Sequence, residues 1–236
     1  MAGRRKVSGA IVATLAALVV CASLVGVNVP PAAAQPCPDA EVVFARGTSE
    51  APGVGGVGQA FVDSVRAQAG PRTVGVYGVN YPASDEFFDR VGFASTVVAG
   101  IRDTLDHVQA MAVNCPDTRL VLGGFSQGAV VAGFATAAEV PDGVSVEAVP
   151  PPMPPEVADH VAAVVLFATP SAQYLSNFDA PAVAIGPLFV PKTLQICDPG
   201  DSICSGVAGG GPNIAHALYA VNGSVNEGAA FAVERL

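Results

Sequence analysis

Positive charge is scarce in this sequence: among 236 residues, 11 are Lys or Arg against 20 Asp or Glu. Three of those eleven, Arg4, Arg5 and Lys6, stand at the very start. If that start is removed as a leader, 8 basic residues face 20 acidic ones, a net charge of −12. Such a surface repels phosphate backbones and anionic bilayers, which excludes nucleic acid and stable membrane insertion of the mature chain. Histidine is rarer still, with three in all, and cysteine numbers five. No histidine lies close in sequence to a cysteine pair and the spacings resemble no zinc site, so neither a metal nor a cofactor is expected. Charged residues of either sign make up only 13% of the chain while half of it is hydrophobic. That balance fits one compact, exported domain with a well-buried core.

What is present begins with a long apolar run. After Lys6 no charge follows until Asp39, an Ala/Val/Leu stretch runs from about residue 7 to 29, and "AAA" occupies 32–34. A positive start, an apolar stretch and small residues before a cut form a secretory signal peptide. Residues 1–34 are therefore expected to be removed, with Gln35 the first mature residue and 35–236 the working domain. The run is long enough to span a bilayer, so an uncleaved anchor is the rival. Valines before Cys21 speak against a lipoprotein, and Arg4-Arg5 hints only weakly at twin-arginine export.

Beyond the leader, apolar β-branched runs start at Glu41, Thr73, Arg119, Val161 and Lys192, with helix-like segments at about 56–69, 91–113 and 127–138. Continuous apolar runs suit strands covered on both faces. The alternation predicts one three-layer α/β domain around a central, mostly parallel five-stranded sheet. "VPPPMPPEV" from Val149 reads as a stiff surface loop and not a domain linker, because a core-like strand follows it directly.

Four cysteines remain in the mature chain, an even number in an exported protein, which implies disulfides. Cys37 precedes its strand by four residues and Cys115 precedes its own by four. If the two strands are parallel neighbours, the cysteines meet, leaving Cys197 and Cys204 to close "CDPGDSIC".

"GFSQG" at 124–128 places Ser126 after a buried strand and before a helix, the pattern of a nucleophile elbow. The glycines accommodate a sharp turn, and the helix start behind it aims N–H groups at developing negative charge. A serine needs a base. His107 precedes Ser126 on a helix face, and His160 precedes a strand at the wrong end of the sheet, so His216 is the candidate by elimination. Asp198 and Asp201 both lie in the loop after the last strand and either could orient the imidazole. An Asp opening a turn commonly bonds its own backbone, which favours Asp201 as the free one. The N–H of Gln127 is one candidate oxyanion donor. The other is Thr48, which follows Cys37 by eleven residues as Ser126 follows Cys115. "GVGGVG" from Gly53 fits a dinucleotide fingerprint only superficially, because no acidic residue ends the next strand; it is read as a flexible loop rimming the site.

Together "VVFARGTSE", "GGFSQGA", "CDPGDSIC", the histidine of "NIAHALY" and the four cysteines resemble the cutinases and their mycobacterial relatives over nearly all of 37–236. The resemblance implies a lidless α/β-hydrolase acting on carboxylic esters. It implies Ser126, Asp201 and His216 as the triad and Thr48 with Gln127 as the oxyanion hole. One difference stands out. Where fungal cutinases carry bulky apolar side chains after the second cysteine of that pair, this chain has the Gly-rich "SGVAGGGPNIA". Less apolar surface there argues against cutin and towards short- to medium-chain esters or lipids. The reading is of a secreted, monomeric serine esterase. An acyltransferase, a phospholipase A or an acetylxylan esterase would use the same constellation, and a non-catalytic secreted binding protein is the alternative of another class.

Overall fold

A computed structural model of the chain describes residues 36–87, 89–141, 149–208 and 210–236. The expected leader, 1–34, and the expected first mature residue, Gln35, lie outside the described residues. Five strands form one sheet: β1 (Ala40–Ala45), β2 (Val74–Gly78), β3 (Arg119–Phe125), β4 (Val161–Phe167) and β5 (Thr193–Ile196). Their order is β2-β1-β3-β4-β5 and every pairing is parallel. The sheet is thus wholly rather than mostly parallel.

The helices are α1 (Gly55–Gln68), α2 (Arg90–Asn114), α3 (Gln127–Ala135), the short α4 (Pro155–Ala158) and α5 (Ala172–Ser176), then α6 (Ile214–Ala217) and α7 (Ser224–Val233). Because consecutive strand side chains point to opposite faces, the run "VVFA" of β1 feeds two cores. Val42 and Phe44 pack with Phe61, Val62 and Val65 of α1 and Val225 and Ala229 of α7. Val43 and Ala45 pack with Ile101 and Val108 of α2 and Val131 of α3. Helices on both faces make the three layers, and explain why the strands read as continuous apolar runs.

Three sequence expectations shift in detail. Although the apolar run from Thr73 continues as "TVGVYGVNY" to Tyr81, the second strand stops at Gly78. Beyond it the carbonyls of Val79, Tyr81 and Pro82 turn instead to the buried guanidinium of Arg46. "GVGGVG" is not a loop rimming the site: Gly55 to Gly58 open α1. Glu50 closes on them, accepting from the N–H groups of Gly47 (2.6 Å) and Gly56 (2.7 Å). Finally, the proline stretch ends not as loop but as α4, with Met153 and Val157 buried.

Both expected disulfides are present, Cys37–Cys115 and Cys197–Cys204. The cysteine offset of 78 is nevertheless one less than the strand offset, since Ala40 pairs with Arg119 and Ala45 with Gly124. A turn closed by Thr118 N–H on Cys115 O takes up the extra residue. Continued beyond the strands, the register sets Thr48 opposite Gln127 rather than Ser126. The strand order also reverses between β1 and β3, since β2 lies outside β1 while β4 and β5 lie beyond β3. In an open parallel sheet, that reversal point at the strands' carboxyl ends is where a crevice forms.

Candidate active site

The loops after β1 and β3 meet at this crevice. β3 delivers Ser126 into a turn so tight that its backbone takes φ 54° and ψ −117°, a left-handed conformation for a residue with a side chain. The two glycines of the motif make room for the turn. A Cβ at Gly124 would lie 2.1 Å from the carbonyl oxygen of Gly128, and one at Gly128 would lie 1.9 Å from that of Ala45. Neither is possible without moving backbone. α3 starts at the next residue, and the Ser126 N–H is held by Phe167 O of β4 (3.0 Å).

His216 reaches the serine from the other side of the crevice. Its Nε2 lies 3.0 Å from Ser126 Oγ, and its Nδ1 lies 2.9 Å from Asp201 Oδ2. A carboxylate only accepts, so Nδ1 carries the proton and Nε2 is left as the acceptor of the serine hydroxyl. α6, which bears the histidine, is a single turn capped by Asn213, whose Oδ1 accepts from His216 N–H (3.1 Å). The amide of Asn213 in turn donates to Gly200 O (2.9 Å), binding the histidine turn to the disulfide loop.

The two aspartates of that loop part company. Asp198 Oδ1 accepts from Gly200 N–H (2.8 Å), the self-capping turn expected of it, and Oδ2 accepts from Asn222 (3.1 Å). Asp201 is wholly buried and directs Oδ2 at the imidazole, while Oδ1 accepts from Ile203 N–H (2.9 Å). The sulfur of Cys204 rests 3.2 Å from Oδ2; being disulfide-bonded it has no proton to donate, and it acts as a fixed wall.

Thr48 and Gln127 line one cavity with Ser126 and His216. Their backbone N–H groups meet no acceptor among the described residues, so both are free to receive one. The Thr48 loop is braced from below. Arg46, buried and with no carboxylate partner among the described residues, donates to Glu50 O (2.8 Å) and Tyr81 O (2.6 Å), and the Tyr81 hydroxyl donates to Arg46 O. Burial pushes the Tyr81 hydroxyl well above the usual phenol range, the Arg46 charge only partly opposing it, so this donor stays protonated. Ser49 N–H bonds Ala83 O (2.8 Å), and the side chain of Gln127 donates to Ser84 O (3.1 Å), joining the elbow to the same loop.

Two residues here escaped the sequence reading. Arg46 stood in the quoted "VVFARGTSE", but a charged residue at a strand end reads as solvated. Tyr219 lies three residues after His216, in the turn just past the end of α6, and is fully buried. Its hydroxyl donates to Asp201 Oδ2 (3.0 Å) and accepts from Asp198 N–H (2.8 Å). Burial raises its ionisation far above normal, so it remains a donor. The remaining histidines lie elsewhere: His107 pairs with Glu41 (2.7 Å) and stacks on Tyr77, and His160 sits at the opposite end of the sheet, directly before β4.

Over 170 residues, 72% of this chain and 89% of the other, the sequence is 58% identical to the "Probable carboxylesterase Culp7" of Mycobacterium tuberculosis. It is 46% identical to the "Phospholipase Culp4" of the same organism, over 88% of this chain and 82% of that one. Among solved structures, Trichoderma reesei cutinase in complex with a phosphonate inhibitor superposes with a TM-score of 0.61 at 33% identity, covering 84% of this chain and 77% of that chain. The family model described as Cutinase matches residues 36–236, and the chain belongs to that family of carboxylesterases.

Proposed function

We propose that the protein hydrolyses carboxylic esters through an acyl-enzyme on Ser126. The observation that carries this reading is the unbroken line Ser126 Oγ–His216 Nε2 and His216 Nδ1–Asp201 Oδ2, at 3.0 and 2.9 Å. His216 takes the serine proton as Oγ attacks the ester carbonyl, and Asp201 stabilises the imidazolium that forms. The carbonyl oxygen, now negative, is received by the free N–H groups of Thr48 and Gln127. The imidazolium then protonates the departing alkoxide, leaving the acyl group on Ser126. Water, deprotonated by the same imidazole, attacks the acyl-enzyme and releases the acid.

Export follows in the same proposal: the leader is cut before Gln35 and the domain works outside the cytoplasm, where its two disulfides persist. The alternatives differ in what meets the acyl-enzyme or leaves it, and product analysis separates hydrolysis from acyl transfer. The test of the core assignment is covalent labelling by a serine-reactive phosphonate. Ser126 is expected to carry the adduct in mass-spectrometric mapping, and Ser126→Ala to reduce ester hydrolysis to background while remaining folded. Labelling at any other residue would refute it.

A further inference from the structure

A cavity of roughly 1040 Å³ begins at Ser126, Gln127 and His216 and continues far beyond the reacting atoms. That volume stands at the upper end of small-molecule sites, and its course can be read from the fold. In a parallel sheet the connecting helices run back against the strands. α2 therefore starts beside the catalytic end and finishes at the opposite one, next to Cys115, and α3 descends from Ser126 in the same direction. Val91, Ala94, Val98, Ile101 and Leu105 of α2 line the cavity. Their spacing of three or four is one stripe of the helix, and Val91 to Leu105 covers about 21 Å at 1.5 Å per residue. Phe134 of α3, two turns below the serine, faces them across the groove, and Val140 and Pro150 line its lower part.

The chemistry of the wall selects the occupant. Among the described residues, its charged lining is Arg90 and Asp179, paired with each other at the mouth, and Glu139, which is exposed. Phe87 and Phe178, 5.6 Å apart, join the same two segments there. Between mouth and floor the five stripe side chains offer nothing to hydrogen-bond, and the hydroxyl of Ser95, which also lines the cavity, donates to Gly92 O (2.7 Å). A sugar or other polar alcohol buried along the stripe would therefore lose its water with little compensation. A hydrocarbon would not.

We propose that this groove holds the acyl chain of the substrate and that the enzyme is built for long-chain esters, of the palmitate class. A zigzag of ~1.5 Å bonds advances ~1.3 Å per carbon, so a groove of about 21 Å accommodates on the order of sixteen carbons. The expectation of short- to medium-chain esters rested on the sparse loop at 205–215, which gives Pro212 to the cavity lining, whereas the length of the groove is set by α2. The proposal rests on Ser126 being the acylated residue, and adds the length and place of the acyl group.

The test is a chain-length series of monomerically dispersed p-nitrophenyl esters, butyrate to palmitate, on the purified wild-type protein and on Val98→Trp and Leu105→Trp. Each methylene that enters the groove is expected to raise kcat/KM by up to about fourfold, so palmitate should exceed butyrate in the wild type. Val98→Trp fills the groove midway and should lower the palmitate-to-butyrate ratio at least tenfold. Leu105→Trp lies deeper and should lower palmitate relative to decanoate while leaving the decanoate-to-butyrate ratio intact. A wild-type preference that falls beyond octanoate, or ratios that neither tryptophan moves, would overturn the groove assignment while leaving the esterase itself in place. Should either variant fail to fold, a crystal structure of the hexadecylphosphonate adduct of the wild type decides: alkyl density along α2 supports the proposal, and density over the outer surface refutes it. Hydrolysis of none of the esters, with no label on Ser126, would instead remove the proposed function.

Discussion

Tyr219 donates its hydroxyl to Oδ2 of Asp201 at 3.0 Å, the same oxygen that accepts from His216 at 2.9 Å. Two donors on one oxygen fix the carboxylate in the plane the imidazole needs. Tyr219→Phe keeps the ring and its packing but removes one of them. We expect kcat to fall by about tenfold with KM little changed, because a hydrogen bond to a charged group is worth roughly 1.5–3 kcal/mol and this one bears on the imidazolium stage. Asp198 N–H also loses its acceptor, so a stability loss of about 1–3 kcal/mol should accompany the change. Steady-state kinetics on the folded variant check the split; an unchanged kcat would make Tyr219 a packing residue only.

Asp201→Asn should cost far more activity than Asp198→Asn. The amide would present the wrong donor pattern to His216 Nδ1, and such a substitution lowers turnover by about 10⁴ in a Ser-His-Asp triad. Asp198 caps its own turn and holds Asn222, so its loss should cost roughly 1 kcal/mol in stability and little catalysis. The comparison needs oxidised samples of both, with thermal midpoints measured beside kcat. An inactive Asp198→Asn beside an active Asp201→Asn would exchange their roles.

These assignments differ in how far the sequence could carry them. Ser126 was readable because glycines two before and two after a serine, between a β-branched run and a small-residue helix, leave few backbone arrangements. Asp198 and Asp201 were not separable on local chemistry alone: a turn-opening Asp has a local partner, which favours Asp201 as the free one, and the resemblance made the choice. The cysteine pairing needed only approximate strand offsets, so it survived a register off by one; the placement of Thr48 opposite Ser126, which needed the register itself, did not. Tyr219 left no local signal, since its partners lie 18 and 21 positions away. The groove was invisible for a related reason. A stripe at 91, 94, 98, 101 and 105 announces an apolar helix face but not whether that face meets protein or open space. The same limit applied to "GVGGVG", whose meaning depended on Glu50 reaching back over it.

Stability should fall at high pH through the tyrosines. Burial is the first cause raising Tyr81, Tyr174 and Tyr219, and it raises Tyr77 to about 12, with Asp103 adding to it. A phenol whose folded value lies above its unfolded value of 10.0 binds its proton more tightly when folded. Its contribution is complete below pH 10 and is lost as pH climbs towards the folded value. The chain has four tyrosines, so tyrosinate absorbance in the native protein should lag behind that of the denatured chain across the whole set. Half of the signal appearing near pH 10 without unfolding would contradict it.

The two disulfides should separate stability from catalysis. Cys37–Cys115 links residues 78 apart at the sheet end away from Ser126, and Cys197–Cys204 closes a loop of separation 7 that carries Asp201. Constraint of the unfolded chain grows with loop length, giving about 4 kcal/mol for the long bridge and about 2 for the short one. Replacing Cys37 and Cys115 by Ala should therefore lower the thermal midpoint more, while the folded fraction keeps its kcat. Replacing Cys197 and Cys204 should lower the midpoint less but reduce kcat strongly, because the wall against Asp201 Oδ2 and the path of its loop are both lost. Asn213, bonded to Gly200 O in that loop, would transmit the disorder to the turn that holds His216. The measurement is calorimetry beside steady-state kinetics on both double variants at a temperature where each is folded. If the 197–204 variant kept full kcat, the loop would be held by Tyr219 and Asn213 alone, and the bridge would have no part in placing the carboxylate.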